Sequence, residues 1–450
     1  MKDTIVAATT VLTADRARPV LSPGWVRIVD GEIVAVEEGA PPSTSGAAAA
    51  AVVRGDLVMP GLISAHQHLV DLLVRGGPTG PTFFDWLLGT YHRGLALAQP
   101  EECRAAIATV RASGLAAGVT TVVDCWSVGP VDDAERTRAC AHASATAHLA
   151  SGGRTLFAPM FCEVVPGGWT SGYGIDPTRL CRPAEESLRM VRELAAELAC
   201  GRLSITPSPE LPEAVTPAGL EAAHALAAEL GTMMPTHFCP SPPSRAAFGP
   251  ADARAVGILG PRMLAAHCAA IDAADVVEIG GAGVHVAHCP TASRALGRSM
   301  LTPLAALRRA GAVGGLGLDN ASLQSTSDLF AEARQAAIIA RGQEDSLHAG
   351  ELFELLTIEA ARAIGMGDRV GSLAAGKRGD LLVLDVSLPH WWPRRRSWID
   401  RVVEVARADD VRVVLVDGEV VASDGVARRQ GDVALVESAA ARIRAAWGWS

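Results

Sequence analysis

His66 and His68 stand at the end of an apolar run that begins near Val58. In an extended strand, residues i and i+2 point to the same side, so both imidazoles reach one point from one strand end. His237 closes a later run, Met233-Met234-Pro235-Thr236-His237, and Asp319 closes another, Gly314-Gly315-Leu316-Gly317-Leu318-Asp319. Three imidazoles and a carboxylate, with a position left open for water, make a donor set for Zn²⁺ or Fe²⁺. One divalent ion is expected, Zn²⁺ ahead of Fe²⁺. Such an ion lowers the pKa of a bound water toward ~7 and so supplies hydroxide at neutral pH. A single strand-terminal His is more often a hydrogen-bonded core residue. The weight here comes from three separate strand ends that share one chemistry.

Those strand ends need a frame that brings them together. Short apolar runs alternate with Ala/Leu/Glu/Arg-rich stretches of helical spacing. Strands are predicted near 58–63, 119–124, 156–161, 203–206, 233–237, 263–267, 283–288 and 313–318, with helices over 100–117, 183–200, 217–230 and 301–310. This α/β alternation predicts a (β/α)8 TIM barrel whose C-terminal rim carries the chemistry. The two chain ends differ from the middle. Both are Val-rich, and Val29-Asp30-Gly31-Glu32 and Val416-Asp417-Gly418-Glu419 carry the same tight-hairpin signal. They predict a small β-sandwich domain formed by both chain ends: 1–57 as its first part, 58–370 as the barrel, and 371–450 as its second part with a terminal helix over 437–447. The Ala/Ser/Pro-rich stretch 41–51 reads as a surface loop.

Composition removes several function classes. No apolar run among the 450 residues approaches the ~18 needed to span a bilayer, and the first residues lack a secretory signal, so a cytoplasmic, soluble protein is expected. Nine cysteines without a C-x-x-C pair argue against a disulfide framework. A net charge of −9 argues against a nucleic-acid partner, and Arg394-Arg395-Arg396 reads as a solvated loop. Lysine occurs only at Lys2 and Lys377.

The segment Met59-Pro60-Gly61-Leu62-Ile63-Ser64-Ala65-His66-Gln67-His68 is the first of several linked motifs. The others are Ala266-His267-Cys268, Ala287-His288-Cys289-Pro290-Thr291, Gly317-Leu318-Asp319-Asn320 and Gly376-Lys377-Arg378-Gly379-Asp380-Leu381. Together they resemble the amidohydrolase superfamily. The similarity is greatest to the branch holding cytosine and guanine deaminases, S-adenosylhomocysteine/methylthioadenosine deaminases and s-triazine hydrolases. The resemblance covers almost the whole chain. It implies His66, His68 and His237 as metal ligands, Asp319 as the last ligand or as proton acceptor for the bound water, and His267 as polariser of the attacked group. It also implies a homodimer. Some superfamily members bridge two metals with a carboxylated lysine. The lack of mid-chain lysine favours one metal, unless Glu163, Glu210 or a cysteine serves as the bridge.

The chain departs from the branch where a proton shuttle is expected. His-x-x-Glu is the usual pattern, but His237-Phe238-Cys239-Pro240 ends in a side chain that cannot carry a proton. Three repairs remain open: Glu210 after the fourth strand, proton transfer by Asp319 and His267 alone, or a substrate whose leaving group needs little protonation. Ser208 stands where the branch often has His. The aromatic loop 75–86, with Phe84 and Trp86, reads either as a lid over a planar substrate or as a packed loop. Cys239 is a further candidate at the site, His288 a supporting residue, and Trp126 and Trp169 weaker pocket candidates. The expected activity is hydrolysis at an sp² carbon of a small nitrogen-containing ring or amidine-like group, with C–N cleavage. The alternatives are hydrolysis of a cyclic amide, urea or carbamate, or of a substrate with a good leaving group, and a non-catalytic metal- or ligand-binding homologue.

Overall fold

The computed structural model describes residues 2–42, 51–80, 83–129, 133–295, 301–323, 326–393 and 396–449. Most of the Ala/Ser/Pro-rich stretch and two of the three consecutive arginines lie outside the described residues. The chain opens with β1 (Asp3–Leu12), β2 (Val20–Leu21), β3 (Gly24–Val29), β4 (Glu32–Glu38) and β5 (Ala51–Pro60). There follow β6 (Leu62–His68), β7 (Val119–Trp126), β8 (Arg154–Phe161), β9 (Leu203–Ile205), β10 (Ser208–Pro209), β11 (Met234–Phe238), β12 (Met263–His267), β13 (His285–His288), β14 (Val313–Leu316) and β15 (Asp319–Asn320). The chain returns through β16 (Leu381–Leu384), β17 (Val411–Val416), β18 (Glu419–Ser423) and β19 (Val426–Ala427), and ends in a helix over Val433–Trp447.

From β6 to β15 every ladder is parallel, and β7 and β8 are buried along their whole length. Parallel strands covered by helices bury both faces, which is why these runs read as continuous apolar stretches. The ladders form two sheets, β10-β8-β7-β6-β15 with β9 beside β8, and β11-β12-β13-β14. Two seams join them. At one, His237 N donates to Glu210 O (3.3 Å) and Ser208 Oγ to Pro235 O (2.8 Å). At the other, Leu318 N donates to Ser64 Oγ (3.2 Å), and Gly317 lies so close to β6 that an added Cβ would sit 2.7 Å from His66 O. The arrangement is an α/β fold of parallel strands consistent with a closed barrel. Helices start where capping chemistry allows. Thr216 accepts from Gly219 N with Pro217 in the first turn, and Asp328 accepts from Ala331 N.

Both chain ends meet in one nine-stranded sheet, ordered β19-β18-β17-β16-β5-β1-β3-β4 with β2 beside β1. The pairing of the two ends follows the sequence reading. The division into two sandwich layers does not appear in this single ladder. The first barrel strand is also later than expected. Residues Ala51–Pro60 belong to the terminal sheet, and Gly61 separates them from β6. Both Asp-Gly turns have positive φ at both central residues, Asp30 47° with Gly31 86° and Asp417 49° with Gly418 69°, which is the type I′ signature.

Arg154, at the start of β8, fastens this sheet to the parallel strands. Its guanidinium makes a two-pronged contact with Asp380 (2.9 and 3.0 Å) and a third contact with Asp417 (2.9 Å). Arg154 and Asp380 are almost wholly buried. Removing one partner strands a buried charge, so Arg154→Met is expected to cost about 3–5 kcal/mol, read as a lower urea midpoint. An unchanged midpoint would mean that the joint does not depend on this ion pair.

Candidate metal centre and catalytic cavity

His66 and His68 project from the end of β6, His237 and His267 from the ends of β11 and β12, and Asp319 from the start of β15. Four of the five are at most 3 % exposed. The ring centroids of His66 lie 4.7 Å from His68, 4.9 Å from His237 and 5.4 Å from His267. Asp319 Oδ1 is 3.5 Å from His68 Nε2 and 3.7 Å from His66 Nε2. Two overlapping triads have donor atoms close enough for one ion, His66/His68/His237 and His66/His267/Asp319. His267, expected as a polariser, thus shares a possible ligand triad with His66 and Asp319.

The tautomers test whether a cation fits here. His68 Nδ1 lies 2.5 Å from Cys125 O, and His237 Nδ1 lies 2.6 Å from Glu210 O. A carbonyl oxygen only accepts, so each Nδ1 donates and each neutral ring keeps its lone pair on Nε2. Those two Nε2 atoms face each other at 3.2 Å, with a carboxylate oxygen beside them. Lone pairs so placed repel unless a positive ion lies among them. Backbone-oriented imidazoles of this kind are typical of metal ligands. Burial keeps both rings neutral. It lowers the His68 pKa and brings that of His237 down to about 4, with His68 adding to the effect on His237. The residues present fit a divalent metal.

The backbone at this rim is strained. His267 (φ 77°), Cys268 (47°), Asp319 (59°) and Cys239 (46°) all adopt the left-handed region that non-glycine residues avoid. Asp71 lies beneath the loop after Asp319 and accepts from Ser322 N (3.2 Å) and Ser322 Oγ (2.8 Å). Burial, opposed by these hydrogen bonds, pushes its carboxyl up to about 7.

A cavity opens over the imidazoles. His68, His237, His267 and Asp319 line its floor, with Asn320 beside them, and Phe83, Trp86, Leu87, Met160, Leu211 and Pro240 form apolar walls. Small-molecule sites commonly combine an apolar wall with a few converging polar groups. Glu210 and Tyr91 complete the lining. Glu210 is 5 % exposed. Its Oε1 lies 2.9 Å from His92 Nε2, and its Oε2 accepts from Cys162 Sγ at 3.4 Å. Burial alone would push this carboxyl up. The His92 ring, His237 and the Cys162 thiol outweigh that and hold it below its ordinary value.

Several expected residues lie elsewhere. Phe84 packs on Phe83 and Tyr173, while Phe83 takes the wall position. Ser208 is fully buried, with its hydroxyl on Pro235 O. The Cys239 thiol points to Phe248 O, and burial raises its pKa beyond the thiolate range. His288 is buried outside the lining, and burial brings its pKa down to about 4. Trp126 and Trp169 are buried outside the lining as well, Trp169 packing on His92. Glu163, weighed as a metal bridge, spends its oxygens on Ala184 N, Thr216 N and Thr216 Oγ.

The sequence reading missed Tyr91 and His92. They lie in a helical segment running from Phe83 to Leu95, whose middle, Leu87–His92, widens into a π turn. Such turns recur at functional sites, but no residue pattern in this stretch announces one.

Residues 57–421 match the Amidohydrolase family. The 5-methylthioadenosine/S-adenosylhomocysteine deaminase of Syntrophobacter fumaroxidans is 29% identical over 428 residues, covering 92% of this chain and 91% of that protein. The enzyme of the same name from Symbiobacterium thermophilum is 29% identical over 438 residues, covering 94% of each. Among solved structures, an adenosine deaminase from Xanthomonas campestris with bound zinc is similar with a TM-score of 0.82 at 25% identity, over 99% of both chains. Atrazine chlorohydrolase from Arthrobacter aurescens complexed with zinc has a TM-score of 0.84 at 21% identity, over 98% of this chain and 99% of that one, a likeness of fold alone. With the family matched over most of its length, the chain belongs to the amidohydrolase family.

Proposed function

We propose that this protein is a metal-dependent aminohydrolase that replaces an exocyclic amino group of a small nitrogen heterocycle with oxygen, releasing ammonia. The observation that carries the reading is the meeting, in one apolar cavity, of the imidazole and carboxylate cluster with the buried carboxylate of Glu210. His66, His68, His237 and Asp319 would hold a single divalent ion, Zn²⁺ ahead of Fe²⁺, with His267 at its edge. When bound, the ion supplies Lewis acidity and a nucleophile at neutral pH.

The remaining work falls to the chain's own side chains. Asp319 accepts the proton of the attacking water. His267 places a hydrogen bond on the atom that gains negative charge as the sp² carbon becomes tetrahedral. Glu210, ionised at rest, takes up the water's second proton as the tetrahedral carbon's hydroxyl becomes a carbonyl and delivers it to the departing nitrogen, which is a poor leaving group until protonated. Trp86 and Phe83 flank the ring, and Pro240 adds apolar surface where the related deaminases are expected to carry their glutamate. The deaminase relatives make adenine nucleosides the first substrates to try.

Ammonia release is measured on 5′-methylthioadenosine, S-adenosylhomocysteine, adenosine, guanine, cytosine and a chloro-s-triazine. Ammonia from at least one amino-substituted ring is expected. A ring-opened acid without ammonia would overturn the reading in favour of cyclic amide or urea hydrolysis, the alternative that Pro240 favours. Bound metal without turnover on any ring would instead mark a binding protein.

Removal of the metal is a separate test. An ion that binds only the folded state at about 1,000 times its Kd adds about 4 kcal/mol of stability. Chelation is therefore expected to abolish turnover and lower Tm, with both restored by Zn²⁺. Full activity in metal-free protein would remove the ion from the mechanism.

A further inference from the structure

His92 sits at the end of the π turn and is 1 % exposed. Its ring is wedged between Tyr91 (centroids 5.0 Å apart, edge-on) and Trp169 (5.3 Å). Nε2 meets Glu210 Oε1 at 2.9 Å, while the buried Nδ1 has no hydrogen-bond partner among the described residues. A buried polar atom left unsatisfied costs roughly 1–3 kcal/mol. Apolar residues of similar volume would fill the same space without that cost, so packing alone does not account for an imidazole here. Its evident polar task is the contact with Glu210.

Glu210 needs such a contact. Its main chain is pinned, because its N–H donates to Phe161 O and its carbonyl accepts from His237 Nδ1. Among the described residues its carboxylate, at the end of a flexible side chain, is otherwise held only by the weak thiol donor of Cys162. The segment that carries His92 also supplies Phe83, Trp86, Leu87 and Tyr91 to the cavity wall. One helical segment therefore both covers the cavity and grips the carboxylate inside it.

We propose that His92 is the positioning residue for Glu210, orienting its carboxylate toward the substrate's leaving group and linking that orientation to the seating of the segment 83–95. This rests on the assignment of Glu210 as proton carrier. No proton is exchanged with bulk water through His92, which acts only by holding one oxygen of Glu210.

The test is a double-mutant cycle on the metal-loaded full chain, with ammonia release as the readout. Displacement of a catalytic group by about 1 Å can cost ~10²-fold in rate. His92→Phe is accordingly expected to lower kcat by about 10- to 100-fold with KM nearly unchanged. His92→Gln, whose amide still donates, is expected to recover part of that loss. In a Glu210→Gln background, His92→Phe should change kcat by less than about twofold, because residues that act through one group are not additive.

An equal loss in both backgrounds would overturn the proposal and leave His92 a packing residue. Undiminished activity in Glu210→Gln alone would overturn the role of Glu210 itself, a distinct failure. If His92→Phe does not fold, His92→Gln carries the cycle, and its two backgrounds should differ in the same direction. If Glu210→Gln falls below detection, the structure of His92→Gln or His92→Phe decides. A carboxylate swung out of the cavity supports the proposal, and one left in place in a slowed enzyme overturns it.

Discussion

Asp319→Asn is expected to leave a folded protein whose kcat has fallen by about 10³- to 10⁴-fold. Folding survives because Asn is among the few residues that tolerate the left-handed conformation Asp319 adopts (φ 59°). Its amide also has nearly the size and shape of the carboxylate it replaces. Activity is lost because an amide cannot take a proton from water, and general-base transfer alone contributes typically ~10²–10⁴-fold. Loss of the charge beside the imidazoles also weakens the hold on a cation. The measurement pairs initial rates at saturating Zn²⁺ with elemental analysis and a thermal melt. Undiminished turnover with full metal content would remove Asp319 from the mechanism.

Glu210→Gln has the second largest expected effect, a loss of about 10²- to 10⁴-fold in kcat for substrates that expel ammonia. The substitution is conservative in every other respect. Gln keeps an oxygen to accept from His92, and the contact with His237 runs through the main chain. The sharper reading comes from varying the leaving group on one ring. Chloride departs without protonation, so a chloro-substituted ring should lose far less than its amino counterpart. Equal losses for both would mean that Glu210 supports the cavity and moves no proton.

Much of this site was legible because strand ends have simple geometry. The i, i+2 spacing of His66 and His68, and a lone His or Asp closing other apolar runs, suffice to predict convergence on a barrel rim. The departures have identifiable causes. The apolar run Leu57–Ile63 crosses from β5 into β6, and Gly61 marks the division. There an added Cβ would strike Thr120 Oγ1 at 2.2 Å, a tertiary fact with no local signature. Phe83 and Phe84 are adjacent aromatics, and which of them faces the cavity depends on the phase of a helix that starts irregularly. Ser208 and Cys239 stand beside candidate residues in sequence, yet their side chains turn to Pro235 O and Phe248 O. The contact between His92 and Glu210 has no signature in the sequence, because Glu210 follows β10, far along the chain from His92. The terminal hairpins were readable because Asp-Gly encodes the turn locally, whereas how their strands distribute among layers depends on contacts between the two ends.

That shared sheet also sets the order of events during synthesis. β5 must wait for β16, and 320 residues separate Pro60 from Leu381 (380 − 60 = 320). At roughly 5–20 residues per second, translation leaves the edge of β5 unpaired for tens of seconds. An open, apolar strand edge is a template for pairing with another chain. The nascent protein therefore carries an aggregation hazard along β5 until β16 has emerged, and slow codons between the two would prolong it.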